Sequence, residues 1–109
     1  MLYTDIIKNP AIFSRCYKKG LRVSGPGVTA YCFRTGRPYN SFGITAGKKV
    51  GGAVSRNRAK RILRAAYRKN ELLLPIGYDI VIVARQEIEG KKSTSFDGFF
   101  RKIASELSK

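Results

Sequence analysis

No aspartate or glutamate occurs between Asp5 and Glu71, although this stretch carries most of the lysines and arginines of the chain. Residues 1–70 hold 16 basic side chains and one acidic one, whereas residues 71–109 hold six of each. The whole formal net charge of +15 therefore lies in the first two thirds of the sequence. Because no carboxylate within this stretch can neutralise it, any fold must leave a cationic surface, and we expect a polyanionic partner.

The composition fits one folded domain that covers residues 1–109. Hydrophobic residues make up 43% of the chain, which is enough for a core. Cys16 and Cys32 form no CxxC pair and there is no histidine, so we expect buried reduced thiols, with neither a disulfide framework nor a zinc site. The missing histidine also excludes Ser-His-Asp catalysis. No segment resembles a membrane span or a signal peptide, so we expect a cytoplasmic protein without a membrane partner.

Turn and cap signals divide the chain into seven elements in the order αβββαβα. Asn9-Pro10 predicts the start of a first helix over residues 10–19, and Gly20 predicts its end. Short β-type runs follow, and residues 53–70 then return to helical spacing. We expect antiparallel pairing among the β-type runs, which are Leu21–Val23, Val28–Phe33 and Ser41–Ala46.

The last third of the chain predicts a central strand and a closing helix. Residues 78–84 contain consecutive β-branched side chains, which are typical of a strand covered on both faces and parallel to a neighbour. Residues 93–97 supply N-cap candidates for an amphipathic helix. The apolar side of that helix comprises Phe96, Phe99, Phe100, Ile103 and Leu107.

The helix over residues 53–70 has an almost purely cationic face, on the side opposite Ile62 and Ala66. Like charges four residues apart cost about 0.2–0.5 kcal/mol each, so a plain solvated face normally mixes signs. Arginine suits bidentate contacts to phosphate. We therefore favour nucleic acid over a solvated face, a membrane-surface helix or a calmodulin-target helix. The cationic face and its margins comprise Arg56, Asn57, Arg58, Lys60, Arg61, Arg64 and Arg68.

A dense motif runs from Gly43 to Arg61. It comprises Lys48-Lys49, Gly51, Ala53-Val54, Arg56-Asn57-Arg58 and Lys60-Arg61 at fixed offsets. This motif resembles the signature of the bacterial ribonuclease P protein subunit, whose hallmark is an Arg-Asn-Arg stretch on a basic helix. Length, charge and element order agree with that family over essentially the whole chain. The sequence departs from the usual family pattern at Ser41, Gly47, Gly52 and Ala59.

The resemblance implies an α+β fold. In detail it implies an α/β sandwich with a mostly antiparallel four-stranded sheet and a left-handed βαβ crossover through the basic helix. It further implies a non-catalytic, RNA-binding subunit of the ribonucleoprotein endoribonuclease ribonuclease P. The expected partners are its catalytic RNA and the 5′ leader of precursor tRNA, with no small-molecule substrate. The RNA, with Mg²⁺, is expected to perform the hydrolysis, and we expect no cofactor on the protein itself.

The acidic residues independently favour binding over catalysis. A protein nuclease that uses two metal ions needs several carboxylates close together. The seven acidic residues of this chain are scattered along the sequence, and we expect most of them to be exposed. Glu87 and Glu89 are close in sequence, and we interpret them as solubilising charges in a turn. We therefore predict neither catalytic residues nor metal ligands.

Aromatic residues form a second candidate surface. Phe13 and Tyr17 are four residues apart on the first helix, while Tyr31 and Phe33 alternate with Thr29 on one strand face. By the resemblance, this helix and strand line a cleft for the single-stranded leader, whose bases stack on aromatic rings. A role in the core is the alternative for these rings, and for Phe33 in particular. Cations that would follow the leader phosphates are Arg15, Lys18, Lys19 and Arg34.

The turn before the basic helix is a candidate phosphate site. Lys48 and Lys49 precede a helix N-terminus, where ammonium and backbone N–H groups converge. The Gly-Lys-Ser/Thr ending of a nucleotide-binding P-loop is missing, so we expect RNA phosphate rather than ATP.

Two rival functions are compared with this hypothesis, an rRNA-binding protein and a stand-alone nuclease. A small ribosomal or other rRNA-binding structural protein would share the charge and the basic helix, but it would need no aromatic groove. A stand-alone nuclease conflicts with the inventory of histidines and carboxylates. The aromatic cleft therefore separates the main hypothesis from its closest rival.

Overall fold

A computed structural model of the chain describes residues 4–85 and 92–109. Within them, the helices are α1 (Pro10–Lys19), α2 (Ala53–Asn70) and α3 (Asp97–Leu107). The strands are β1 (Thr4–Ile6), β2 (Leu21–Gly25), β3 (Val28–Arg34), β4 (Asn40–Ala46) and β5 (Tyr78–Ala84). Short 3-10 turns occupy Lys48–Val50, Glu71–Leu73 and Ser93–Phe96.

The strands of the described residues form one mixed sheet in the order β1-β4-β5-β3-β2. β1 pairs parallel with β4 and β4 pairs parallel with β5, whereas β3 is antiparallel to both β5 and β2. The α+β class is confirmed, but the expected four-stranded, mostly antiparallel sheet is wrong in detail. The sheet has a fifth strand, β1, and half of its strand pairings are parallel.

Long-range contacts hold the additional strand in place. The Thr4 hydroxyl donates to the Glu71 carboxylate at 2.6 Å and is 2.8 Å from the Tyr67 hydroxyl. The backbone N–H of Ile7 donates to the carbonyl of Phe42 at 2.9 Å. Three residues with no alternation of polar and apolar side chains give no local strand signal, so β1 depends on partners distant in sequence.

Side chains alternate between two faces of the sheet that differ in their cover. We call the face covered by α2 and α3 the sealed face; its strand residues include Phe42, Ile80 and Ile82, which are all buried. We call the other face the open face. It includes Gly43, Val81 and Tyr31, and α1 is the helix that packs against it within the described residues.

The sealed face has an aromatic centre. Tyr67 on α2 stacks on Phe42 at 3.9 Å between ring centroids and meets the edge of Phe100 on α3 at 6.0 Å. Burial and the nearby Glu71 charge raise the pKa of the Tyr67 hydroxyl to about 12. The helix periods predicted from the sequence thus place apolar residues where they fill one core, and the expected core role of Phe96, Phe99 and Phe100 is confirmed.

The basic helix α2 connects the parallel strands β4 and β5. Asn40 ties the starts of these strands together, because its Oδ1 accepts from the backbone N–H groups of Gly77 and Tyr78 at 2.8 and 2.9 Å. Its Nδ2 donates to the Pro75 carbonyl at 3.0 Å. The left-handed sense of this crossover stays a prediction. None of the helices that the structure describes could span a membrane.

Candidate nucleic-acid interface

An ion pair with a buried carboxylate fixes α1 on the open face. The Arg15 guanidinium pairs with the carboxylate of Asp79, whose side chain is only 1% exposed. The Cys16 thiol donates to the Asp79 carbonyl at 3.7 Å, and the Arg15 guanidinium lies 4.5 Å from the centre of the Phe33 ring. Asp79 and Glu71 are both buried, so the expectation of mostly exposed acids is wrong for these two.

Three of the predicted aromatic residues follow one row of the sheet. Gly43 of β4 and Tyr31 of β3 both pair with Val81 of β5. Phe13 lies over Gly43, where an added Cβ would come within 2.7 Å of the ring. Tyr17 meets Tyr31 edge to face at 5.1 Å. Glycine at position 43 therefore gives the Phe13 ring its place against the sheet.

Phe33 lies apart from this row. It pairs with Asp79, one step further along the open face, and it supports the Arg15 guanidinium. It lines a separate hollow near the C-terminal end of α1, together with Lys19 and Arg34. Phe33 nevertheless packs against the same buried cluster as Phe13 and Tyr31, so the four predicted rings share the open face, with Phe33 beneath Arg15.

Beyond the aromatic row lies a shallow trough, whose floor is the next row of the sheet. Thr45 and Thr29 both pair with Val83, and Thr29 is buried. The ring, ion-pair and hydrogen-bond contacts of α1 described above fall on the rows of Val81 and Asp79, and the half-buried Val83 packs at the margin of the same cluster. We use the name trough for this floor together with the wall formed by Phe13, Tyr17 and Tyr31.

A cationic pocket of about 470 Å³ ends the trough at the carboxyl ends of β4 and β5. Its lining includes Lys48, Lys49 and Arg85, with no carboxylate among the described residues. Arg85 was missed by the sequence reasoning. A signal existed, because Asp79, Val81 and Val83 project onto the open face and strict alternation brings Arg85 to that same face.

The turn that carries the two lysines leads directly into α2. Gly51 has φ of +126°, a conformation that side-chain-bearing residues rarely adopt, and an added Cβ would lie 3.0 Å from Ser55. Gly52 is the N-cap and provides no side-chain cap for the first turn. The initial N–H groups of α2 thus lack helical acceptors and favour an anion.

The predicted cations of α2 point to more than one place. Lys60 and Arg64 line a groove with Phe13 and Gly43, beside the aromatic row. Arg64 and Arg68 line a second hollow along β1. Arg56 is half-buried, and its Nε atom has no hydrogen-bond partner. The exposed members of the set are Asn57, Arg58, Arg61 and Arg68.

The cationic face has no internal counter-charge in the part of the chain that the structure describes. The ion pairs found there join Arg15 to Asp79, Lys69 to Asp97 and Lys109 to Glu106. None of them involves residues 56–68. Asn70 and Lys69 lower the pKa of Asp97 by hydrogen bonding and charge, at the junction of α2 and α3. The positive potential of α2 is therefore open to an external anion.

Acidic and thiol side chains are scattered among the described residues. No group of three or more His, Cys, Asp or Glu residues capable of holding a metal ion occurs among them. Glu87 and Glu89 lie outside the described residues. The predicted burial of Cys16 and Cys32 as free thiols is confirmed, and burial raises their pKa values to about 11 and about 12.

Comparisons of the sequence identify one family. The family profile described as Ribonuclease P matches residues 1–108. The chain is 33% identical over 101 residues to the ribonuclease P protein component of Lachnoclostridium phytofermentans, with 93% of this chain and 87% of that protein covered. It is 37% identical over 96 residues to that of Clostridioides difficile, covering 86% and 82% of the two chains.

Comparisons of the structure agree with those of the sequence. The fold is similar to that of the Staphylococcus aureus RNase P protein, with a TM-score of 0.71, 27% identity, and coverage of 95% of this chain and 94% of that chain. It is also similar to the RNase P protein of Thermotoga maritima, with a TM-score of 0.76, 25% identity and 94% of each chain covered.

Proposed function

This chain belongs to the ribonuclease P protein family, and from that premise we propose which part of its surface binds which RNA. The protein is the protein subunit of ribonuclease P, a ribonucleoprotein endonuclease, and acts in tRNA 5′ processing. Its partnership is with the RNA subunit and precursor tRNA. In our proposal the trough binds the single-stranded 5′ leader, and the cationic face of α2 binds the RNA subunit.

One observation carries the assignment of the leader to the trough. The aromatic wall of Phe13, Tyr17 and Tyr31 runs beside the row of Val83, and Val83 also lines the cationic pocket. Unpaired bases stack on aromatic rings, and their phosphates need cations nearby. Base-paired RNA offers no free base faces, so this combination suits a single strand better than a duplex.

The cationic face of α2 suits a structured RNA. Asn57, Arg58 and Arg61 are exposed on it, and no carboxylate of the described residues pairs with this part of the helix. Guanidinium groups bind phosphate in a bidentate manner, and each phosphate contact releases counterions. Binding through this face should therefore weaken steeply as salt is raised.

Hydrolysis in this proposal belongs to the RNA, assisted by Mg²⁺. Two-metal hydrolysis needs carboxylates that converge on the ions. Asp79 is instead engaged by Arg15, Asp97 by Asn70 and Lys69, and Glu71 by Thr4. These acids stabilise the fold. The alternative of an rRNA-binding structural protein is not favoured, because the relatives named above are ribonuclease P proteins.

The trough is tested by removing one ring. The Tyr31→Ala variant, assembled with a ribonuclease P RNA, should bind precursor tRNA with a leader of several nucleotides more weakly. Loss of one stacked base corresponds to about 1–3 kcal/mol, or roughly 5- to 150-fold in Kd. Binding of leaderless tRNA should change little, because it cannot use the trough.

Tyr39→Ala is the matched control. Tyr39 is half-buried beside Arg37 in the segment before β4 and belongs to neither proposed surface. It should leave the ratio of the two affinities unchanged. An unchanged ratio for Tyr31→Ala, in a variant that still folds and assembles, contradicts binding of the leader in the trough.

A further inference from the structure

We propose that Arg85 is a positioning residue that couples phosphate binding in the cationic pocket to base stacking on Tyr31. This inference rests on the proposed binding of the leader in the trough and adds to it a coupling between two contacts of the same strand. The recognised unit is one phosphodiester of a single strand together with a neighbouring base. Arg85 belongs to the charge-neutral last third of the sequence, outside the motif that the cationic helix carries.

Three hydrogen bonds fix Arg85 at the end of β5. Its backbone N–H donates to the Gly27 carbonyl at 2.8 Å. Its Nε donates to the hydroxyl of Thr29 at 2.9 Å, and its Nη2 donates to the hydroxyl of Tyr31 at 2.7 Å. Thr29 is only 2% exposed and lies within β3, so it gives the guanidinium a rigid point of attachment.

The same guanidinium retains free donors towards the pocket. A guanidinium has five N–H groups, and the bonds to Thr29 and Tyr31 use two of them. No described carboxylate pairs with Arg85, and the residue is exposed. Lys48 and Lys49 complete the cationic lining of the pocket. An anion of phosphate size therefore meets a guanidinium that is already oriented and two ammonium groups.

Tyr31 receives its orientation from two sides. The Tyr17 ring lies perpendicular to it, with 5.1 Å between the ring centroids, and the Arg85 guanidinium donates to its hydroxyl. A phosphate bound to the free donors of Arg85 would restrain the guanidinium and, through it, the Tyr31 ring. By thermodynamic reciprocity, a base stacked on that ring would strengthen phosphate binding in the pocket.

A double-mutant cycle with Tyr31→Phe and Arg85→Ala tests the coupling. Tyr31→Phe keeps the stacking ring but removes the hydroxyl that Arg85 holds. We expect it to weaken binding of leader-bearing precursor tRNA by the assembled holoenzyme about 3- to 10-fold, the value of one hydrogen bond. In the Arg85→Ala background the same change should have an effect of less than about 2-fold.

Two further variants separate positioning from charge. Arg85→Lys keeps the positive charge but lacks the planar fork, so the salt dependence should be retained while the non-additivity with Tyr31→Phe disappears. Arg101→Ala is the matched control, because it removes one exposed cation from α3, the helix on the sealed face. It should leave both the leader affinity and the cycle unchanged. Thermal unfolding of each variant verifies that the domain is folded.

The outcomes are distinct for the two proposals. Strictly additive effects of Arg85→Ala and Tyr31→Phe overturn the coupling, as does an Arg101→Ala loss equal to that of Arg85→Ala. If Tyr31→Ala reduces leader affinity while the cycle is additive, the trough stands and this inference fails. If Tyr31→Ala leaves the preference for leader-bearing tRNA unchanged, the trough itself is contradicted.

Discussion

The two faces of the sheet use the same strands for opposite purposes. On the sealed face, α2 and α3 bury Phe42, Ile80 and Ile82 against Tyr67 and Phe100. On the open face, one helix covers part of the sheet and leaves the trough beside it. The comparison shows that this small domain concentrates its apolar packing on one face, which leaves polar and aromatic groups of the other face accessible, as the proposed binding of the leader requires.

Polar groups are also treated differently on the two faces. The open face holds the buried carboxylate of Asp79 and the buried hydroxyl of Thr29, each engaged by an arginine. Those arginines, Arg15 and Arg85, attach α1 and the cationic pocket to the sheet. Buried ion pairs contribute little net stability but strongly resist loss of one partner. Specific polar contacts therefore fix the elements of the open face, whereas close packing of apolar side chains fixes those of the sealed face.

The largest expected effect comes from truncating the sealed face. Phe100→Ala should lower the free energy of unfolding by about 3–5 kcal/mol, because the fully buried ring leaves a cavity beside Tyr67. Tyr17→Ala on the open face should cost less than about 1 kcal/mol, since Tyr17 is 42% exposed. Urea unfolding measures both. Similar losses for the two variants would remove the distinction between the faces.

A smaller loss is expected from the ion pair beneath α1. Asp79→Asn should lower the free energy of unfolding by about 1–3 kcal/mol, because Arg15 loses its charge partner but remains partly exposed to water. Asp97→Asn is the control at an exposed ion pair and should cost less than Asp79→Asn. Chemical denaturation of both variants at neutral pH gives the comparison, and an equal loss would contradict it.

Two glycines allow the same substitution on both faces. An alanine Cβ at Gly25 would lie 2.6 Å from the base of the tightly packed Phe99 ring, so Gly25→Ala should cost about 1–3 kcal/mol. At Gly43 it would meet the far end of the half-buried Phe13 ring at 2.7 Å. The Phe13 ring is less tightly enclosed than the Phe99 ring, which is 6% exposed.

We expect Gly43→Ala to cost less stability than Gly25→Ala but to weaken leader binding more. Parallel measurements of thermal unfolding and of precursor-tRNA affinity test both parts. The reverse order of stabilities would show that Phe13 is as tightly held as Phe99. An unchanged leader affinity in Gly43→Ala would separate Phe13 from the trough.

The smallest effect concerns the two thiols at alkaline pH. The folded-state pKa values of Cys16 and Cys32 are raised above the unfolded value of 9.0, to about 11 and about 12, chiefly by burial. Their contribution to stability is therefore complete below pH 9 and is lost as pH rises towards the folded values. At about pH 9.5 the expected loss is roughly 1 kcal/mol per thiol.

Urea unfolding between about pH 8 and pH 10 measures this loss, and Cys32→Ala should show a shallower decline than the parent protein.

The sequence predicted local structure well where one pattern persisted for several residues. The bounds of α1 and α2, and the buried strand β5 with a parallel neighbour, are confirmed. These elements are marked by capping residues or by a periodic or continuous pattern of apolar residues, and both signals are local in sequence. The strand β1 was missed because its three residues obtain their stability from Thr4 contacts to Tyr67 and Glu71, which are remote in sequence.

The candidate site was only partly predictable, for a similar reason. The cations of α2 and the three rings of the aromatic row follow from helical and strand periods. That Phe33 supports Arg15, and that Arg85 reaches Tyr31, depends on the order of strands in the sheet. A period identifies the face on which a side chain lies, but pairing of distant strands decides its neighbours.

The position of β5 has a consequence for how the protein is made. Val81 pairs with both Tyr31 and Gly43, so β5 fills the space between β3 and β4, which do not pair with each other. During synthesis from the N-terminus, the cationic first two thirds emerge before this strand exists. The nascent chain thus carries all its surplus charge while its sheet is still divided. The trough can form only after the ribosome has added the neutral last third.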